Sequence, residues 1–129
     1  MEVIRTFHPV GQGAFYSERH ICDDKEYNIV YDCGTEWRNR GKSFIKNIVK
    51  QYYNKNETID ILFISHFDYD HVSMIDTLNK SVKNIKNVVL PLLHENDKII
   101  LSLVFNLFGY KNISTLINDP NKFLARVLK

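Results

Sequence analysis

The run "IDILFIS" at 59–65 constrains the fold more than any other stretch of this chain. It is short, almost continuously apolar and rich in β-branched residues. That is the pattern of a strand buried on both faces, as in the parallel part of an α/β sheet. Directly after it comes "HFDYDH" at 66–71, which gathers two histidines and two aspartates into six positions. The expectation is a buried strand that delivers a polar loop.

The flanking segments specify what surrounds that strand. "EVIRTFHPV" alternates as a strand and is broken by Gly11 and Gly13. "AFYSERHI" and "EYNIVYDC" read as two further strands joined through the turn "CDDKE", so the chain opens as an antiparallel meander. The period then changes. Phe44, Ile45, Ile48, Val49, Tyr52 and Tyr53 mark one face of a helix over 42–53. Met74, Ile75, Leu78 and Val82 mark a second helix, with Ser73 and Asp76 as capping residues. "NVVLP" reads as another buried strand, halted by Pro91. Ile99, Ile100, Leu103, Val104, Leu107 and Phe108 stripe a third helix, read as buried and stopped by Gly109. Asp119-Pro120 starts a last short helix.

The order is three strands, then helix, strand, helix, strand, helix. It predicts the α/β class: a mixed sheet with helices packed on it, in one domain over 1–129. Such a sheet would expose its unused face and its last edge if the chain ended at Lys129.

At 129 residues and 44% hydrophobic, the chain can bury one core, and disorder is not the default. A net charge of +2, without a basic block, gives no argument for nucleic acid or membrane. "MEVIRTFHPVGQG" lacks the pattern of a secretory leader, and no apolar run approaches the roughly 20 residues of a membrane helix. Cys22 and Cys33 have no CxxC spacing and read as free thiols. The cytoplasm is the expected compartment, with no membrane partner.

The chemistry concentrates in the loop. In extended chain His66, Asp68 and Asp70 lean one way, and His71 points elsewhere unless the backbone turns there. Ligands offered in two directions suit two adjacent ions. Imidazole with carboxylate suits zinc, manganese or iron, and the two aspartates tilt the set toward manganese or magnesium. Paired ions can polarise a phosphoryl or acyl oxygen and generate a hydroxide near neutral pH. The structural alternative is a solvated loop whose aspartates cap the next helix; four ligand-type residues together argue against it.

"SHFDYDH" resembles the H-x-[HD]-x-D-H signature of the metallo-β-lactamase superfamily. "VGQG" at 10–13 is similar to the opening of the domain found in bacterial competence DNA-uptake proteins. "NIVYDCG" at 28–34 resembles that family's strand ending in Asp-x-Gly. Aspartate at position 68, where other branches carry histidine, also fits the competence type. The resemblance spans residues 10–74 and implies the N-terminal half of an αββα sandwich, and hence an incomplete domain. It implies that His66 and Asp68 serve one divalent ion, zinc or manganese, and Asp70 and His71 a second. Asp70 would stand near the attacking water as the catalytic residue, and Asp32 would support the metal loop through hydrogen bonds. The implied activity is metal-dependent hydrolysis of a phosphodiester, small or of nucleic-acid type.

Two departures stand out. The family's glycine two residues after the final histidine is here Ser73, and its third histidine, bridging aspartate and final histidine have no counterpart. His94 is the one later histidine and reads as a surface residue near a helix start; His8 and His20 lack metal-like spacing. Two other readings therefore stand beside the enzyme. One is a truncated or inactive piece acting as a binding or regulatory module. The other is a partner-binding module that uses its open sheet edge, as a homo-oligomer or with a second chain completing the fold.

Overall fold

A computed structural model describes residues 1–38 and 40–125. The chain folds as two compact units, Met1–Leu90 and Pro91–Lys129.

The first unit is built on a five-stranded sheet in the order β1-β2-β3-β4-β5. Strands β1 (Glu2–Phe7), β2 (Tyr16–Cys22) and β3 (Lys25–Tyr31) form the expected antiparallel meander. Helix α1 (Arg40–Tyr52) then returns the chain to β4 (Thr58–Phe63), which pairs parallel to β3. Helices α2 (Tyr69–Val72) and α3 (Ile75–Ser81) lead to β5 (Asn84–Val89), parallel to β4. The class is thus mixed α/β, as the alternation of periods predicts.

Helix α1 lies on the sheet face that carries Thr6, Ser17 and Arg19. The Tyr52 hydroxyl lies 3.0 Å from Thr6 Oγ1, and the Arg19 guanidinium sits over the Tyr52 ring at 5.8 Å. Helix α3 packs against α1. The core consists of residues at 0% exposure from the sheet, Val30, Ile59 and Leu62, with Ile45 and Val49 of α1 and Ile75 and Leu78 of α3. His8 belongs to this core. Its ring stacks on Phe15 at 3.7 Å, edges Tyr52, and places Nε2 2.9 Å from Ser17 Oγ. Burial pulls its pKa down to about 4, so it packs as a neutral ring.

Four expectations for the first unit need correction. β4 is not sealed on both faces: Ile59 and Leu62 are buried, while Ile61 and Phe63 keep partial exposure. β5 is a sheet-edge strand rather than a buried one, and Val89 is exposed. Phe44 turns outward from α1, because Ile45 and Val49 already fill the contact with the core. Ser73 does not cap the start of α3, where Met74 stands; it closes α2 through its N–H to Tyr69 O, and its hydroxyl donates to Thr35 O and accepts from Thr35 N, both at 2.9 Å.

The sheet row Phe7–Tyr16–Tyr31–Phe63–Val89 runs in register across all five strands. Successive rings along it lie 4.6, 5.6 and 4.8 Å apart. Phe7, Tyr31 and Val89 in this row are exposed.

The second unit holds α4 (Glu95–Leu107), α5 (Lys111–Asn118) and α6 (Pro120–Ala125). α5 contacts both α4 and α6 and buries Ile113, Leu116 and Ile117. The α4 stripe is the largest correction. Ile99, Ile100, Leu103, Val104, Leu107 and Phe108 are all exposed, and Ser102 is the buried residue of that helix. Among the described residues no helix is long and apolar enough to cross a membrane.

A candidate metal loop at the end of β4

Three separated segments meet where β4 ends. The β3 strand stops at Tyr31, and Asp32 takes the left-handed φ of 53°, which swings the chain out of the sheet plane. Asp32 N donates to Phe63 O at 2.8 Å, so the parallel pairing is prolonged by one bond at the strand end. Beyond it the segments interlock through their backbones. Ala14 N donates to Asp70 O at 3.2 Å, Cys33 N to His71 O, Gly34 N to Ala14 O and Met74 N to Cys33 O, each of these three at 2.9 Å. A β-carbon on Gly34 would stand 2.4 Å from Asp70 O, and one on Gly13 would stand 2.5 Å from Gly34 O. Both glycines are there because the chain passes itself at backbone contact.

This scaffold fixes the loop. Phe67 is buried as its anchor. Asp68 occupies the residue before α2 but makes no capping hydrogen bond with its side chain, which is 77% exposed. The capping alternative thus has no bond to rest on at Asp68. The helical turn that begins at Tyr69 redirects His71, as a turn there would. Its ring comes to 3.8 Å from the His66 ring instead of pointing away from it.

The four ligand-type side chains fall into two pairs. His66 Nε2 lies 3.3 Å from Asp68 Oδ2, and His71 Nε2 lies 3.8 Å from Asp70 Oδ2. Among the described residues, no three His, Cys, Asp or Glu side chains group so as to hold one metal ion. The donor chemistry of each pair, one imidazole nitrogen and one carboxylate, fits a divalent ion. Each pair is two ligands of the four or more that such an ion takes.

Asp32 sits behind the histidines, 6% exposed. It accepts from Ser65 N at 2.8 Å and from the Ser65 hydroxyl at 2.7 Å, and its Oδ2 lies 2.9 Å from His71 Nδ1. Those contacts tie the end of β3 to the loop after β4. Sequence reasoning alone misses Ser65, which touches Asp32 and comes within 2.8 Å of His66 Nδ1. Its one signal is its place as a hydroxyl between a strand and the first ligand-type histidine.

Cations also gather at the loop. Lys42 Nζ donates to the Tyr69 hydroxyl at 2.7 Å, and the Arg38 guanidinium lies 5.9 Å from the centre of the Tyr69 ring. Cys33 is fully buried, and that burial first, with the Asp32 charge second, pushes its thiol well above its ordinary pKa; Cys22 is exposed, and both thiols are free. His94 is exposed at the residue before α4. His20 pairs with Glu18 at 2.7 Å on β2.

No protein-family model, no curated protein and no solved structure matches this chain.

Proposed function

We propose that residues 1–90 carry one wall of a binuclear metal site in a hydrolase of the metallo-β-lactamase type, acting on phosphodiesters. The observation that carries this reading is the meeting of three segments, 10–14, 32–35 and 65–71, through backbone hydrogen bonds, with the buried Asp32 carboxylate tied to the third. They contain or overlap the stretches 10–13, 28–34 and 65–71 that resemble motifs of that one family, and Asp32 joins the second to the third. Each histidine then turns its Nε2 toward a carboxylate of the same loop.

Bound zinc or manganese would supply polarisation of the phosphoryl oxygen and a water acidic enough to ionise near neutral pH. The chain's own residues have the remaining work. His66 with Asp68, and His71 with Asp70, would hold the two ions. Asp70, a quarter exposed, would accept the proton of the attacking water. Lys42 and Arg38, held at Tyr69, favour an anionic substrate over a neutral one. That preference supports a phosphodiester, of a small molecule or of nucleic acid.

One observation favours a second reading, a binding module without activity of its own. The described residues bring no third ligand to either pair. On that reading the further ligands, and a cover for the exposed sheet face, would come from outside residues 1–125, a second chain or a second copy of this one among the sources.

Hydrolysis of a generic aryl phosphodiester with added manganese or zinc tests the enzyme reading. Asp70→Asn is expected to lower the rate by about 100-fold or more, as the loss of a general base does. No hydrolysis by the wild-type chain, or equal rates in both proteins, would favour the binding module.

A further inference from the structure

Ser65 occupies a position where hydrogen-bond arithmetic has consequences. Its Oγ lies 2.7 Å from Asp32 Oδ2, 2.8 Å from His66 Nδ1 and 3.4 Å from His71 Nδ1. A serine hydroxyl has one proton to give, and an ionised carboxylate can only accept. The Ser65 proton therefore goes to Asp32. Toward His66 the same oxygen can only accept, so the proton between them belongs to His66 Nδ1. His71 Nδ1, 2.9 Å from Asp32 Oδ2, must likewise donate.

Both imidazoles, when neutral, thus carry their hydrogen on Nδ1 and a free lone pair on Nε2. Those are the two nitrogens that face Asp68 Oδ2 and Asp70 Oδ2. Asp32 reaches His71 directly, but it reaches His66 through Ser65 alone.

We propose that Ser65 is a positioning residue that relays the Asp32 carboxylate to His66 and sets the tautomer in which His66 Nε2 is a ligand. The significance of that tautomer rests on the metal-site reading; the tautomer itself does not. In Ser65→Ala the backbone N–H to Asp32 Oδ1 remains, so the loop keeps its anchor while His66 loses its Nδ1 acceptor. A histidine side chain without such a partner prefers its proton on Nε2 in water. Ser65→Thr keeps the hydroxyl and should keep the relay.

The test is a long-range proton–nitrogen correlation spectrum of metal-free, nitrogen-15-labelled protein, at a pH where the histidines are neutral. In the wild type His66 and His71 should both show a protonated Nδ1 and an unprotonated Nε2. Ser65→Ala should move the His66 proton to Nε2 and leave His71 unchanged, and Ser65→Thr should restore the wild-type pattern. A wild-type His66 protonated at Nε2, or a His66 pattern indifferent to Ser65→Ala, overturns the proposal. Zinc titration separates it from the metal reading. If the wild type takes up zinc, Ser65→Ala should weaken binding about 10-fold, the lower end of the effect of losing such an outer partner, with Thr rescuing it. Equal affinities would overturn the role toward the ligand. A wild type that binds no zinc but shows the expected tautomers overturns the metal reading and leaves the relay standing.

Discussion

Helices α1 and α4 are both 13 residues long, and both carry apolar residues at helical spacing. They use them in opposite ways. On α1, Ile45 and Val49 reach 0% exposure between the sheet and α3. On α4, Ile99, Ile100, Leu103, Val104, Leu107 and Phe108 stay exposed, Ser102 is the buried residue, and the helix contacts α5. Periodicity announces that a face exists; it does not say what covers it. In Met1–Leu90 the cover is a sheet whose register leaves no slack. In Pro91–Lys129 α4 packs on the short helix α5, which in turn packs on α6, and the stripe stays exposed.

The comparison can be broken by substitution. The largest effect is expected at Gly34, where a β-carbon would enter the backbone of Asp70 and His71 at 2.4–2.6 Å. Backbone cannot yield as a side chain can, so Gly34→Ala should cost about 4 kcal/mol in urea unfolding, at the severe end for one substitution. Full stability in that variant would mean that the motif segments do not interlock.

Next come matched truncations. Leu78→Ala empties a site at 0% exposure and should cost about 3 kcal/mol, while Leu103→Ala, at 58% exposure, should stay within about 0.5 kcal/mol. A large loss at Leu103 would show that the α4 stripe is covered in solution, and the contrast between the helices would fall.

The core of the first unit should also show in its pH dependence. His8 falls from an ordinary 6.5 to about 4 because burial disfavours its charged form. Between those values the unfolded chain binds a proton that the folded chain refuses. Stability therefore rises with pH across that window, is complete above about 6.5 and is lost toward 4, by at most about 3 kcal/mol. His8→Gln should flatten that part of the profile, and an unchanged slope would remove His8 as its source.

The smallest effect separates cap from ligand. Asp68 makes no capping bond, so Asp68→Ala should change stability by less than about 0.5 kcal/mol. A loss near 1 kcal/mol would restore the capping reading.

The meander, α1, β4, α3 and β5 are legible in the sequence because period two and period 3.6 are separable over such lengths. So are α4 and α6, but α5 is not. "KNISTLIN" puts Ile113, Leu116 and Ile117 on one face, yet Asn112, Ser114, Thr115 and Asn118 dilute the helical signal. The sealing of β4 is overread from sequence, because apolarity in a central strand does not distinguish a covered face from a bare one.

At the loop, the gathering of His66, Asp68, Asp70 and His71 after a strand is legible in the sequence; their pairing and the place of Asp32 come from the family resemblance alone. The approach of the His71 ring to His66 is not legible, since it depends on where the α2 turn begins. Ser65 escapes for a related reason. Its importance lies in a left-handed Asp32 more than 30 residues away, which only the folded chain brings beside it.

Metal content decides whether the loop after β4 is a metal site. Protein purified with added manganese and zinc should carry metal near stoichiometry, and His66→Ala and Asp70→Ala should each lose it. A folded wild type that holds neither metal, or variants that hold as much as the wild type, would contradict the account.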